Sequence, residues 1–278
     1  MYYVTKQSSL IVSLLLLFSL SCTRENVLPS ISEIDKAKRE RIGDLIKAHI
    51  EAESSMYDIL PNHAPYDTIY DYIQLLYNQA TNAIRVDNRS PSSDRWDFDR
   101  TWQIIILQND FDRIAFALPG GHLCISTGFL KTLEREYELF YVLAYEAAML
   151  DKRILLNGLL AEFNSQVLLE FATGVYAPGD EKTQELVASF FTLGYDEMLV
   201  AEADKAAAQI ICQTSLYDRF GLLPILDRLN NNDHWLRTRP KYAGRSNRDN
   251  LERYPVEGRC GDLKTNGGYR KYVRDKLN

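Results

Sequence analysis

One carboxylate in this chain stands where hydrolytic chemistry would place it. Glu146 lies in Ala-Tyr-Glu-Ala-Ala-Met, residues 144–149, inside a long apolar run that reads as helix. Positions i and i+4 share a helix face. Two histidines at that spacing can hold one Zn²⁺, and a glutamate directly after the first can activate the metal-bound water. Here those two positions carry Tyr145 and Met149. Zinc sites are built from Cys, His, Asp or Glu, and structural zinc contributes about 10–16 kcal/mol, which a phenol and a thioether do not supply. One Met beside one Tyr makes no copper site either. Glu146 thus has the place of a general base without a Lewis acid beside it.

No other set takes over the chemistry. The histidines, His49, His63, His122 and His234, are scattered over separate segments with no pair at ligand spacing. Ser126 and Thr127 offer a hydroxyl nucleophile but no assignable base. Cys124 falls in a strand-like run and Cys212 at the end of an apolar helix, and both read as core residues. Glu146 itself is read as a relic or as a buried acid bonded to Tyr145 or Arg239, because an unpaired buried carboxylate is costly.

The elements that would position these residues follow from periodicity. A Ser-x-x-Asp signal, Ser32 to Asp35, opens an amphipathic helix carrying Ile42, Leu45, Ile46 and Ile50. A second helical pattern covers 68–84, and 87–99 is a polar loop. Residues 101–110 and 114–127 are the strong strand territory, and Pro119-Gly120-Gly121 reads as a turn between two extended runs of a small antiparallel sheet. Helix resumes from Gly128 to about Thr173 and continues over 181–193, 197–214 and 216–230. The predicted organisation is one mostly helical α+β domain over 32–252, with 253–278 as a polar C-terminal tail.

Composition narrows the function classes. The 278 residues are 46% hydrophobic and 25% charged, ordinary for a globular chain. A formal charge of −6 argues against a general nucleic-acid binder, which carries a basic face. Residues 1–21 contain Lys6 followed by Leu-Ile-Val-Ser-Leu-Leu-Leu-Leu-Phe-Ser-Leu, too short to span a bilayer and suited to a secretory signal. Its end, Ser-Leu-Ser-Cys, resembles a bacterial lipoprotein signal in which Cys22 becomes the lipidated first residue, with 22–31 as a tether. A plain cleaved signal or short anchor is the alternative. Three other cysteines, Cys124, Cys212 and Cys260, then allow one bridge at most and leave at least one free thiol.

Four stretches together resemble the HtpX and CaaX-prenyl-protease family of gluzincin zinc metallopeptidases, in particular its small periplasmic lipoprotein members. Residues 115–130 are similar to that family's Asn-Ala-Phe-x-Leu-Pro-Gly-Gly strand-turn-strand. Residues 136–153 align with its His-Glu-x-x-His helix and 194–211 with its Glu-x-x-Ala-Asp helix. Residues 236–245 resemble a Thr-His-Pro segment followed five residues later by Arg. Order and spacing agree over roughly 32–252. The resemblance implies a zincin-like fold in which Tyr145, Met149 and Val200 occupy the three zinc-ligand positions. Arg239 replaces the His of Thr-His-Pro and Ile114 the Asn before Ala-Phe. Glu146, the outer-sphere Asp204, the Pro119-Gly120-Gly121 turn and Arg245 are kept. Glu202 lies two residues from Val200, about 200° around the helix, and faces away from the site.

Two readings follow. The first is a lipid-anchored pseudo-peptidase without cofactor, facing the periplasm from the outer membrane. It would bind an extended peptide or an envelope protein by strand addition along Gly120, Gly121, His122 and Leu123. In it, His122 begins the strand beside the cleft, although an ordinary half-exposed strand histidine has the same sequence. The second is an active metalloendopeptidase with zinc held by other residues and Glu146 as base.

Overall fold

Asp35 starts the first described helix by accepting a hydrogen bond from the Lys38 N–H at 3.0 Å. The computed structural model describes residues 34–53, 58–86, 103–193, 197–228, 253, 260–261 and 268–278. By contacts the chain divides into Met1–Glu33 and Ile34–Asn278. Every element below belongs to the second unit. It is α+β and mostly helical, about 67% helix against 8% strand, so helices supply most of the core.

Helix α1 (Lys36–Ala52) is followed by the short strand β1 (Asp58–Ile59) and helix α2 (Asp67–Val86). Three strands come next: β2 (Ile104–Gln108), β3 (Ala115–Ala117) and β4 (Leu123–Ser126). The long helical stretch expected from Gly128 onward is four helices. They are α3 (Thr127–Thr132), α4 (Glu136–Asp151), α5 (Ile154–Glu162) and α6 (Ser165–Thr173). The breaks have local causes. Glu138 reaches back to the N–H groups of Glu134 and Arg135 and starts α4. Arg153 adopts a left-handed conformation at φ 56°, and Asn164 caps α6 through the Val167 N–H. Helices α7 (Glu181–Thr192) and α8 (Glu197–Thr214) lead to a 3₁₀ turn (Arg219–Leu222) and to α9 (Leu223–Arg228).

The strand order is β1-β2-β4-β3. The β3–β4 hairpin is antiparallel, with Phe116 opposite Cys124, as the Pro-Gly-Gly turn predicts. The sheet as a whole is mixed, because β2 runs parallel to β4 with Ile105 opposite Cys124. That pairing passes over β3, and a turn signal does not encode it.

Helix α4 is apolar on every side, and Glu136 through Leu150 are all buried, as an all-round apolar helix requires. It packs on α8, α2, β3 and the 3₁₀ turn. The C-terminal stretch expected as a tail is packed at its described end. Tyr269 and Val273 are buried, and the Tyr269 hydroxyl donates to the Leu130 carbonyl at 2.5 Å. No helix among the described residues is long and apolar enough to cross a membrane.

Candidate functional site

Of the three positions that the sequence resemblance assigns to zinc ligands, two lie on α4 and one on α8, and these helices pack on each other. Tyr145 is 1% exposed, Met149 1% and Val200 3%. The Tyr141 hydroxyl, one turn before Tyr145, donates to Asp204 Oδ1 at 3.2 Å and ties the two helices. Asp204 is fully buried and Glu202 is exposed on the opposite side of α8, as the 200° rotation predicts. A phenol, a thioether and a hydrocarbon at the three positions are not zinc donors. Among the described residues no group of three or more His, Cys, Asp and Glu side chains could hold a metal ion.

Glu146 points to the sheet. Its Oε2 accepts a hydrogen bond from the Ala117 N–H at 2.9 Å, and the residue is 1% exposed. Backbone pairing explains why that N–H is there. Leu118 N donates to His122 O and Ser126 N to Ile114 O, so even-numbered residues of β3 face β4. Ala117 therefore faces the outer edge, where an added strand would pair. The carboxylate takes that donor. Phe116 adds a phenyl cluster with Phe190 and Phe191 of α7, at ring separations of 6.0 and 5.2 Å. Tyr77 of α2 is also close. Burial first, then the nearby Glu146 and Cys124, push its hydroxyl well above the ordinary range.

Gly120, Gly121, His122 and Leu123, where a peptide-binding strand is expected, form the turn and the start of β4. Strand β4 is internal, with β2 on one side and β3 on the other, and all four residues are buried. Helix α1 covers the turn. A Cβ on Gly43 would stand 1.4 Å from the Pro119 carbonyl oxygen, and one on Gly120 would stand 2.7 Å from Glu40 Cα. Gly120 and Gly121 have φ of 96° and 107°, which favour glycine. His122 is not half-exposed. It is 6% exposed, with Nε2 3.0 Å from Asp44 Oδ1 of α1. The Tyr77 hydroxyl completes the clamp on the Gly121 carbonyl at 3.3 Å.

Ser126 is no nucleophile. It is fully buried, caps α3 through the Phe129 N–H and donates its proton to the Asp112 carbonyl at 2.6 Å. A buried cluster that spacing did not reveal gathers at the start of α4. Glu136 accepts hydroxyl hydrogen bonds from Tyr72 and Tyr217, and burial first, then Glu136, push the Tyr72 hydroxyl far above its usual range. Its members come from α2, α4 and the turn after α8, so no local motif announces it.

Cys212, read as a core residue, is bonded to Cys260, and Cys124 is a buried free thiol. Burial raises the Cys124 pKa far above the ordinary thiol value. Arg239, Arg245, the signal with Cys22 and the tether lie outside the described residues. No protein-family model matches the chain, and no curated protein matches it.

Proposed function

We propose that this chain is a non-catalytic pseudo-peptidase of the bacterial cell envelope. On this reading it is anchored by a lipid on Cys22, and its architecture resembles HtpX and CaaX-type zinc metallopeptidases. The observation that carries the reading is Glu146. The general base of a zinc peptidase works on a water that the metal polarises. This carboxylate is buried and bonded to the Ala117 N–H, beside positions filled by Tyr145, Met149 and Val200. It serves the structure as an acceptor. Because the β3 edge is taken at Ala117 and β4 is internal, protein partners are met on outer surfaces and not by strand addition in a cleft. The Cys212–Cys260 bond supports an oxidising compartment such as the periplasm. The acidic balance supports protein partners over nucleic acid.

Elemental analysis of the unchelated protein tests the reading, alongside the variant Tyr145→His, Met149→His, Val200→Glu. The expected result is a metal-free native chain and stoichiometric zinc in the triple variant. A native chain that carries one zinc and a peptidase activity, with Glu146→Gln abolishing activity while the metal stays, would mean an enzyme with other ligands.

A further inference from the structure

Residues 268–278 turn positive charge outward from a chain whose formal charge is −6. A π-helical turn (Arg270–Arg274) runs into helix α10 (Asp275–Leu277). Tyr269 and Val273, one turn apart, are buried and fix which side meets the fold. Arg270, Lys271, Tyr272 and Lys276 are exposed, and Arg274 is half-buried. One of these cations has a partner, because Arg270 Nε lies 3.6 Å from Asp275 Oδ1. Lys271, Arg274 and Lys276 form no ion pair with a carboxylate of the described residues. The Lys271 ammonium lies instead 5.0 Å from the centre of the Tyr272 ring.

The carboxylates of the neighbouring elements have other places. Glu136 is buried beneath the segment and takes the hydroxyls of Tyr72 and Tyr217. Asp71 of α2 lines the groove beside β1. More distant carboxylates, beyond about 8 Å, are largely screened at physiological salt. Apolar side chains stand beside the unpaired cations. The Tyr272 ring is 37% exposed and packs at 5.4 Å on the Tyr72 ring of α2, and Leu75, one turn further along α2, is 55% exposed.

Unpaired lysine and arginine around a half-exposed tyrosine and a leucine make a face suited to a bilayer interface. The ring and the leucine enter the headgroup region, and the cations meet lipid phosphates. A nucleic acid fits less well. It needs cations along several nucleotides of backbone, and these are confined to two helical turns. We infer that Lys271, Tyr272, Arg274 and Lys276, with Leu75 of α2, lie on the anionic phospholipid surface of the membrane that carries the chain. The inference rests on the lipid-anchored reading proposed above. A single tether leaves the domain free to turn, and a charged second contact fixes the side that it shows to the bilayer.

The full chain, reconstituted with phosphatidylcholine vesicles with or without phosphatidylglycerol and recovered by flotation, tests this. Tyr272→Trp sets a reporter at the ring position, and brominated acyl chains quench it where it enters the bilayer. The native chain, with its three tryptophans, is the blank. Quenching should be at least about twofold stronger with phosphatidylglycerol, and high salt or the added changes Lys271→Gln, Arg274→Gln and Lys276→Gln should remove that excess. Circular dichroism checks that the variants fold. Equal quenching in the two vesicle types, or an excess that the three changes leave intact, overturns the inference. So does an unquenched reporter together with oligonucleotide binding that the three changes abolish, which would assign the cations to nucleic acid. A chain that floats only with the mixed vesicles keeps this contact and loses the lipid anchor, and one that floats with neither loses both.

Discussion

A carboxylate with 1% exposure needs acceptor duty to remain in place, and the Ala117 N–H gives Glu146 that duty. The variants at this position separate structure from catalysis. Glu146→Gln keeps a carbonyl oxygen for the Ala117 N–H and should cost about 1 kcal/mol, whereas Glu146→Ala orphans that donor, leaves a cavity and should cost about 2–4 kcal/mol. Urea unfolding midpoints measure both, and equal costs would show that the Ala117 contact contributes nothing. Spacing along one helix was enough to single out Glu146, Tyr145 and Met149. Their surroundings were not readable in the same way, because the partner of Glu146 comes from a strand edge and that of Asp204 from Tyr141.

Among the elements, the junction of α1 with the hairpin is the most sharply defined. Alanine is the better helix former by about 1 kcal/mol, so at an open position Gly43→Ala would stabilise α1. Here the new Cβ would lie 1.4 Å from the Pro119 carbonyl oxygen, which no rotamer relieves. The clash wins. Gly43→Ala should lower stability by about 2–4 kcal/mol, while Gly179→Ala, where a Cβ meets nothing within 4 Å, should change it by no more than about 0.5 kcal/mol. Thermal melts of the pair give the answer, and two similar melting temperatures would contradict the packing described. Local patterns predicted α8 over 197–214 and the β3–β4 turn, since periodicity and Pro-Gly-Gly are near-neighbour signals. The strand order was not legible, because β2 and β4 pair across an intervening strand on apolar sequence that reads alike from either side.

At the scale of the whole molecule, the Cys212–Cys260 bond closes a loop of 48 residues. A loop of that length confers about 4 kcal/mol when its closure restrains the unfolded chain. Reductant should therefore lower the melting temperature of the native protein, and Cys212→Ala with Cys260→Ala should start lower and ignore reductant. A native melt unmoved by reductant would mean that the bond carries no stability. The fixed end brings the Gly261 N–H at 3.0 Å onto the carbonyl of Tyr217, the residue whose hydroxyl donates to Glu136.

The covering of the Pro119-Gly120-Gly121 turn by α1 also sets an order of events during synthesis. Helix α1 leaves the ribosome before every surface it packs on, namely the turn and helices α6 and α7. A helix in a protein owes most of its stability to packing, and Ile42, Ile46 and Ile50, each 0% exposed in the finished fold, stay apolar surface until those partners have been made. Contacts so distant in sequence slow folding and leave apolar surface open to wrong partners. The hairpin can close as soon as its own residues emerge, but the amino-terminal helix has to wait for the chain to come back to it.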